Sequence, residues 1–195
     1  MTNRPNFTKR MILEPRPGSP WADKMVLNPA LAADPADPDT IHMLFRATGP
    51  WPAAQLPGKP LPYPIFIGYG VSRDGGANWE FDLSRPALRP RLEYDRDAFR
   101  AASMRDGRMF DYANGCIEDP RLFPFEGELY LVLACRAFPP GPYWDHDDPV
   151  QCMPDWVAGD TEVGPAVTEN STVSMLYKVD LARLAARDYD RAFTV

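Results

Sequence analysis

The sequence predicts an all-β protein built from short hairpins and long loops. Three observations carry this. Proline is abundant, 23 of 195 residues, or about 12% against a usual share of about 5%. With 13 glycines, it punctuates the chain too often for a helical bundle. The apolar runs are short, and turn signals close them near residues 35, 75 and 127. Those turns are irregularly spaced, with gaps of about 40 and 50 residues, loosely consistent with the blades of a propeller.

Met25–Leu27 is a short apolar run leading into Asn28-Pro29-Ala30, and an acidic, proline-broken turn covers 34–39. Ile41–Ala47 reads as a strand, followed by a Pro/Gly-rich loop over 49–64. Ile65–Ser72 is the next strand, where Gly68 and Gly70 allow close packing or a bulge. Asp74-Gly75-Gly76 makes a turn, and Trp79–Phe81 starts the returning strand. Residues 95–104 fit a short helix or a long loop. Ile117–Phe123 is strand-like, and Glu126-Gly127-Glu128 is a hairpin turn. Leu129–Ala134 is so uniformly apolar that burial on both faces is expected. Residues 138–170 form a long loop rich in Pro, Gly and acids, an insertion or a functional lip by its length. Ser171–Val179 is the last strand. Asp180 caps a short connecting helix over 181–187. No closing strand is evident in the final Ala192-Phe193-Thr194-Val195. The chain, 1–195, reads as a single domain.

Composition removes several classes of function. The formal charge is −6, and no Lys/Arg cluster offers a nucleic-acid surface. No apolar run approaches the ~18 residues of a membrane span. Met1–Pro20 is polar and proline-rich, without a signal-peptide core. Cys116, Cys135 and Cys152 are an odd set without metal-type spacing, as in a reduced, cytoplasmic protein. Only His42 and His146 are available, so a histidine metal site or a Ser-His-Asp triad is poorly supplied, and no metal is expected. The acidic loop Trp144–Asp148 reads as a solvated tip, and Cys116 as a small buried thiol. Trp21, Trp51, Tyr63, Tyr69 and Trp144 offer sugar-stacking rings or core packing, with no one of them singled out.

Two motifs carry chemistry. Ser72, Asp74, Gly76 and Trp79 fit the pattern S-x-D-x-G-x-x-W, an Asp-box. Its carboxylate accepts turn amides, its glycine takes a conformation other residues resist, and its Trp packs beneath the hairpin. That is a structural device before it is a catalytic one. The second motif is Glu118-Asp119-Pro120-Arg121. In a regular strand Asp119 and Arg121 share one face and Glu118 takes the other. Pro120 favours an edge strand, such as the innermost strand lining a propeller channel. Spacing alone fits either a saccharide site or an ion pair holding two sheets together.

Glu118-Asp119-Pro120-Arg121, followed by Leu122-Phe123, a Gly turn and Leu129-Tyr130, resembles glycoside hydrolase family 130. Asn28-Pro29-Ala30, Leu44-Phe45-Arg46-Ala47 and the stretch from Gly68 to Gly76 resemble that family's upstream elements in the same order. The resemblance covers roughly residues 25–135. It implies a five-bladed β-propeller that acts on β-mannosides, mostly by phosphorolysis. Such a propeller needs roughly 300 residues at about 60 per blade, so the chain would supply about three blades as the N-terminal portion of a truncated propeller. The resemblance implies that Asp119 is the general acid, relayed through the mannose 3-hydroxyl. Inorganic phosphate would attack the anomeric carbon with inversion, giving α-mannose 1-phosphate. Phosphate is already anionic, so one carboxylate suffices where an inverting hydrolase needs two. Asn28, Arg46, Glu118 and Arg121 would bind substrate by the same resemblance. No cofactor is expected beyond phosphate as co-substrate. The partners are a β-mannoside oligosaccharide and phosphate, with neither nucleic acid nor membrane; open strand edges leave room for a homo-oligomer. The alternatives are an inverting β-mannosidase and a non-catalytic sugar-binding fragment.

Overall fold

The computed structural model describes residues 9–49, 65–90, 116–136 and 172–195. Among them, two antiparallel sheets of four strands form. The first contains β1 (Met25–Asp34), β2 (Asp37–Thr48), β3 (Ile65–Ser72) and β4 (Glu80–Asp82), ordered as they follow in the chain. The second contains β5 (Cys116–Phe125), β6 (Glu128–Arg136), β7 (Val173–Val179) and β8 (Phe193–Thr194), again in chain order. Two short helices, α1 (Leu181–Ala185) and α2 (Tyr189–Ala192), lie between β7 and β8.

The first sheet is apolar on both faces. Leu44, Ile67, Tyr69 and Val71 face one way and join Ile117, Leu131, Leu133 and Val179 of the second sheet in a shared core. Met43, Phe45 and Ala47 face the other way and pack with Trp21 and Ala22 from the N-terminal segment. Gly68 lies opposite Phe45 across an unbroken β2–β3 register. A Cβ on Gly68 would overlap the Phe45 ring, and one on Gly70 would press on Phe81. Close packing, not a bulge, is what these glycines supply.

The C-terminal segment ties the two sheets together. Asp180 caps α1, accepting from the Arg183 amide at 3.0 Å, and Leu184 enters the shared core. From α2, Tyr189 meets the Tyr69 ring edge-on and donates its hydroxyl to Asp82 Oδ2 at 2.7 Å. The last strand of the first sheet is thereby fastened to the end of the second.

Several expectations change. The turns near 35 and 75 both belong to the first sheet, so they do not mark successive blades. The described residues hold two four-stranded sheets. Phe193–Thr194 does close the second sheet, pairing with Lys178 and Val179. Strand β6 is buried on one face only: Leu129, Leu131, Leu133 and Cys135 are covered, whereas Tyr130, Val132 and Ala134 are half-buried. Its outward neighbours Phe123, Phe125 and Leu176 are exposed. All but Gly49 of the expected loop over 49–64, the loop over 138–170 and the segment 95–104 lie outside the described residues. Among the described residues, no helix is long and apolar enough to cross a membrane.

Candidate functional site

Two β-bulges build the site. The β1–β2 register slips between Leu27 and Ala30, with Asn28 at φ 48°. The β5–β6 register slips between Glu118 and Arg121, with Asp119 at φ 54°. Asn and Asp are the residues other than glycine that most readily take this left-handed backbone. Each is followed by a proline, Pro29 and Pro120, which has no amide to give to a ladder. A bulge inserts an extra residue and re-aims the side chains beside it.

The result brings together groups far apart in sequence. Asn28 Nδ2 donates to Asp119 Oδ1 at 2.5 Å. Arg46, on β2 opposite Leu27, donates from Nη1 to the same oxygen at 3.2 Å. The same Nη1 lies 2.5 Å from Glu118 Oε2. Four of the five residues that the resemblance marks for substrate and acid therefore meet at one end of the stacked sheets.

Glu118 departs from the expected alternation. The bulge breaks the period of two, so Glu118 and Asp119 both reach Arg46 instead of facing opposite sides. Arg121 departs in the other direction. Its Nη1 donates to the carbonyl of Pro120 at 2.8 Å, and among the described residues it forms no hydrogen bond or ion pair with Asp119.

Burial separates the two carboxylates. Arg46 and Glu118 are 8% and 6% exposed, whereas the Asp119 side chain is 39% exposed. Among the described residues, Asp119 Oδ2 has no hydrogen-bond partner; both contacts fall on Oδ1. The arrangement is a buried guanidinium–carboxylate pair beneath an accessible carboxyl held by an amide. Oδ2, unpartnered among the described residues, is the oxygen at which this carboxyl can exchange a proton.

The Asp-box is a turn, as its residues suggest. The Ser72 hydroxyl donates to Asp74 Oδ1 at 2.8 Å and accepts from the Gly76 amide at 2.9 Å. The Asn78 amide donates to Asp74 Oδ1 at 2.7 Å, and Trp79 Nε1 donates to the Gly76 carbonyl at 3.1 Å. Bonds from the Asn78 backbone, the Asn78 side chain and Ser72 hold the Asp74 carboxyl below its usual range. Gly75 and Gly76 take φ of 67° and 91°.

One buried polar chain escaped the sequence reading. His42 is buried, with Nδ1 2.8 Å from the Tyr69 hydroxyl and Nε2 3.2 Å from Asp34 Oδ2. An aspartate, a histidine and a tyrosine 8 and 27 positions from it give no local pattern; only the β1–β2–β3 register brings them together. Burial pushes the Tyr69 phenol up to about 12. Trp21 and Tyr69 are core residues, not sugar platforms. Trp51, Tyr63, Trp144, His146 and Cys152 lie outside the described residues, while Cys135 is a free, buried thiol.

No protein-family model matches the chain, and no curated protein matches it.

Proposed function

We propose that the chain belongs to a carbohydrate-active enzyme that cleaves β-mannosides by inverting phosphorolysis, with Asp119 as the general acid. The observation that carries this reading is the meeting of Asn28, Arg46 and Asp119, drawn from three strands of two sheets. These are the positions that the resemblance to glycoside hydrolase family 130 marks for the sugar and the acid. The two sheets, each a four-stranded meander sharing one core with its neighbour, are read as adjacent blades of a five-bladed β-propeller. The site then sits where the first strands of the blades approach the channel.

In this mechanism Asn28 and Arg46 hold the mannosyl unit. Glu118, paired with Arg46 in a buried contact, fixes the guanidinium rather than touching sugar. Arg121 binds no substrate in this reading, since its guanidinium is turned onto the Pro120 carbonyl. Asp119 passes a proton through the mannose 3-hydroxyl to the glycosidic oxygen. Phosphate forms the new bond to the anomeric carbon as the old one breaks, and its own proton restores the acid.

The test is turnover of a β-mannoside with phosphate, followed by detection of α-mannose 1-phosphate. Asp119→Asn should lower turnover about 10²–10⁴-fold with an unchanged thermal transition. Full activity in that variant overturns the reading. Mannose released equally without phosphate selects an inverting β-mannosidase instead. Mannoside binding with no turnover selects a sugar-binding module.

A further inference from the structure

A second cleft lies away from Asp119, between the N-terminal segment, β4 and the turn that joins α1 to α2. It is an open groove of about 700 Å³, lined by Arg16, Ser19, Phe81, Asp82, Leu83 and Arg187, among others. That size suits a small organic ligand.

Its charge is unbalanced in one direction. Among the described residues, no hydrogen bond or ion pair joins the Arg16 or Arg187 guanidinium to another side chain, although the Arg187 charge acts on Asp82 in the same cleft and helps hold its carboxyl low. The neighbouring cations differ: Arg85 reaches Asp190, and Arg183 and Arg191 both reach Asp188. Asp82 is the one carboxylate among the lining residues. It is already engaged, taking the Ser84 amide and hydroxyl on Oδ1 and the Tyr189 hydroxyl on Oδ2. Ser19 is buried, and its Oγ accepts from the amides of Trp21 and Ala22. Its hydroxyl proton has no acceptor among the described residues and is left to donate. Two planar guanidinium groups and a hydroxyl donor suit an oxyanion. Phe81, Leu83 and the prolines beside Arg16 and Ser19 form an apolar wall.

We infer that this cleft binds a small organic anion, its phosphate or carboxylate group held by Arg16, Arg187 and Ser19. The site is separate from the mannoside reading and does not depend on it. The probes are inorganic phosphate, glycerol 2-phosphate and acetate, titrated calorimetrically into the full chain. Saturable binding should weaken about tenfold in Arg16→Gln and in Arg187→Gln, as expected for losing one charge-assisted contact. Both variants should melt as the parent does, and Asp119→Asn should bind unchanged. Tighter binding of the ester than of phosphate assigns an organic ligand, and tighter binding of acetate assigns a carboxylate. No saturation below about 10 mM, well weaker than a millimolar site, overturns the inference. So does affinity unchanged in both arginine variants, or affinity lost in Asp119→Asn.

Discussion

Arg46 and Glu118 lose nearly all their water on folding, and their 2.5 Å contact replaces it. Removing one partner strands a buried charge, which costs far more than removing both. Arg46→Ala should therefore destabilise the chain by about 3–5 kcal/mol, and Arg46→Ala with Glu118→Ala should recover part of that. Urea unfolding of the two single variants and the double variant measures the coupling; simple additivity would contradict a buried pair. Acid sensitivity is also set residue by residue. At Asp82, burial opposes the charge, but bonds from Ser84 and Tyr189 outweigh it and hold the carboxyl below its ordinary 3.8. Asp34 is lowered in the same direction, first by the Ala36 amide and then by His42. A lowered folded value gives stability that is complete above about 3.8 and is lost as pH falls through the folded values. Tyr69 works at the other limit. Its raised value means stability that is complete below 10 and lost as pH climbs toward about 12. Denaturant midpoints across pH should show both limbs, with Asp82→Asn reducing the acid one, which Asp34 shares, and Tyr69→Phe reducing the alkaline one, which Tyr189 shares.

Among the elements, legibility followed length and locality. Ile65–Ser72 stands in the structure with the bounds its apolar run suggests, because eight residues between turn signals leave little choice. Strands β4 and β8 and helix α2 span 3, 2 and 4 residues, too few to show a period. The bulges were illegible for a different reason. A bulge is defined by the partner strand, and nothing in Asn28-Pro29 or Asp119-Pro120 alone says which register the neighbour keeps. That is why the resemblance could mark Asn28, Arg46 and Asp119 one by one, while strict alternation misjudged how Glu118 and Arg121 sit relative to Asp119. The Gly68 contact tests the packing of an element directly. The Phe45 ring is bracketed by Trp21 at 6.2 Å and Phe81 at 5.8 Å, so it has little room to yield. Gly68→Ala should cost about 1–3 kcal/mol, read from thermal or urea unfolding, and an unchanged midpoint would show that the aromatic layer can shift.

The whole molecule is held by a core that neither sheet owns. Leu44 and Tyr69 from the first sheet, Leu131 and Val179 from the second, and Leu184 and Tyr189 from the C-terminal helices belong to one cluster. Loss of any part should be felt throughout. Leu184→Ala should destabilise the chain by about 2–5 kcal/mol. Backbone amides of β3 and β6 should lose hydrogen-exchange protection together, although Leu184 lies in neither strand. Protection that falls in β6 alone would mean that the sheets open independently. The same arrangement explains why fold class was easier to read than architecture. Alternation within strands is written locally, whereas the stacking of one sheet on another is written in side chains more than 70 positions apart, such as Arg46 and Asp119.

Strand β2 links two ends of different character. Near one end, the Asp39 carbonyl accepts from the Gly75 amide of the Asp-box turn at 2.8 Å; near the other, Arg46 grips Asp119. Seven residues of extended chain separate them, about 23 Å at ~3.3 Å per residue. The turn is thus a natural handle. A fluorophore or a surface tether at exposed Ala77 would leave the opposite end clear, and a molecule anchored that way would present Asn28 and Asp119 to whatever flows past.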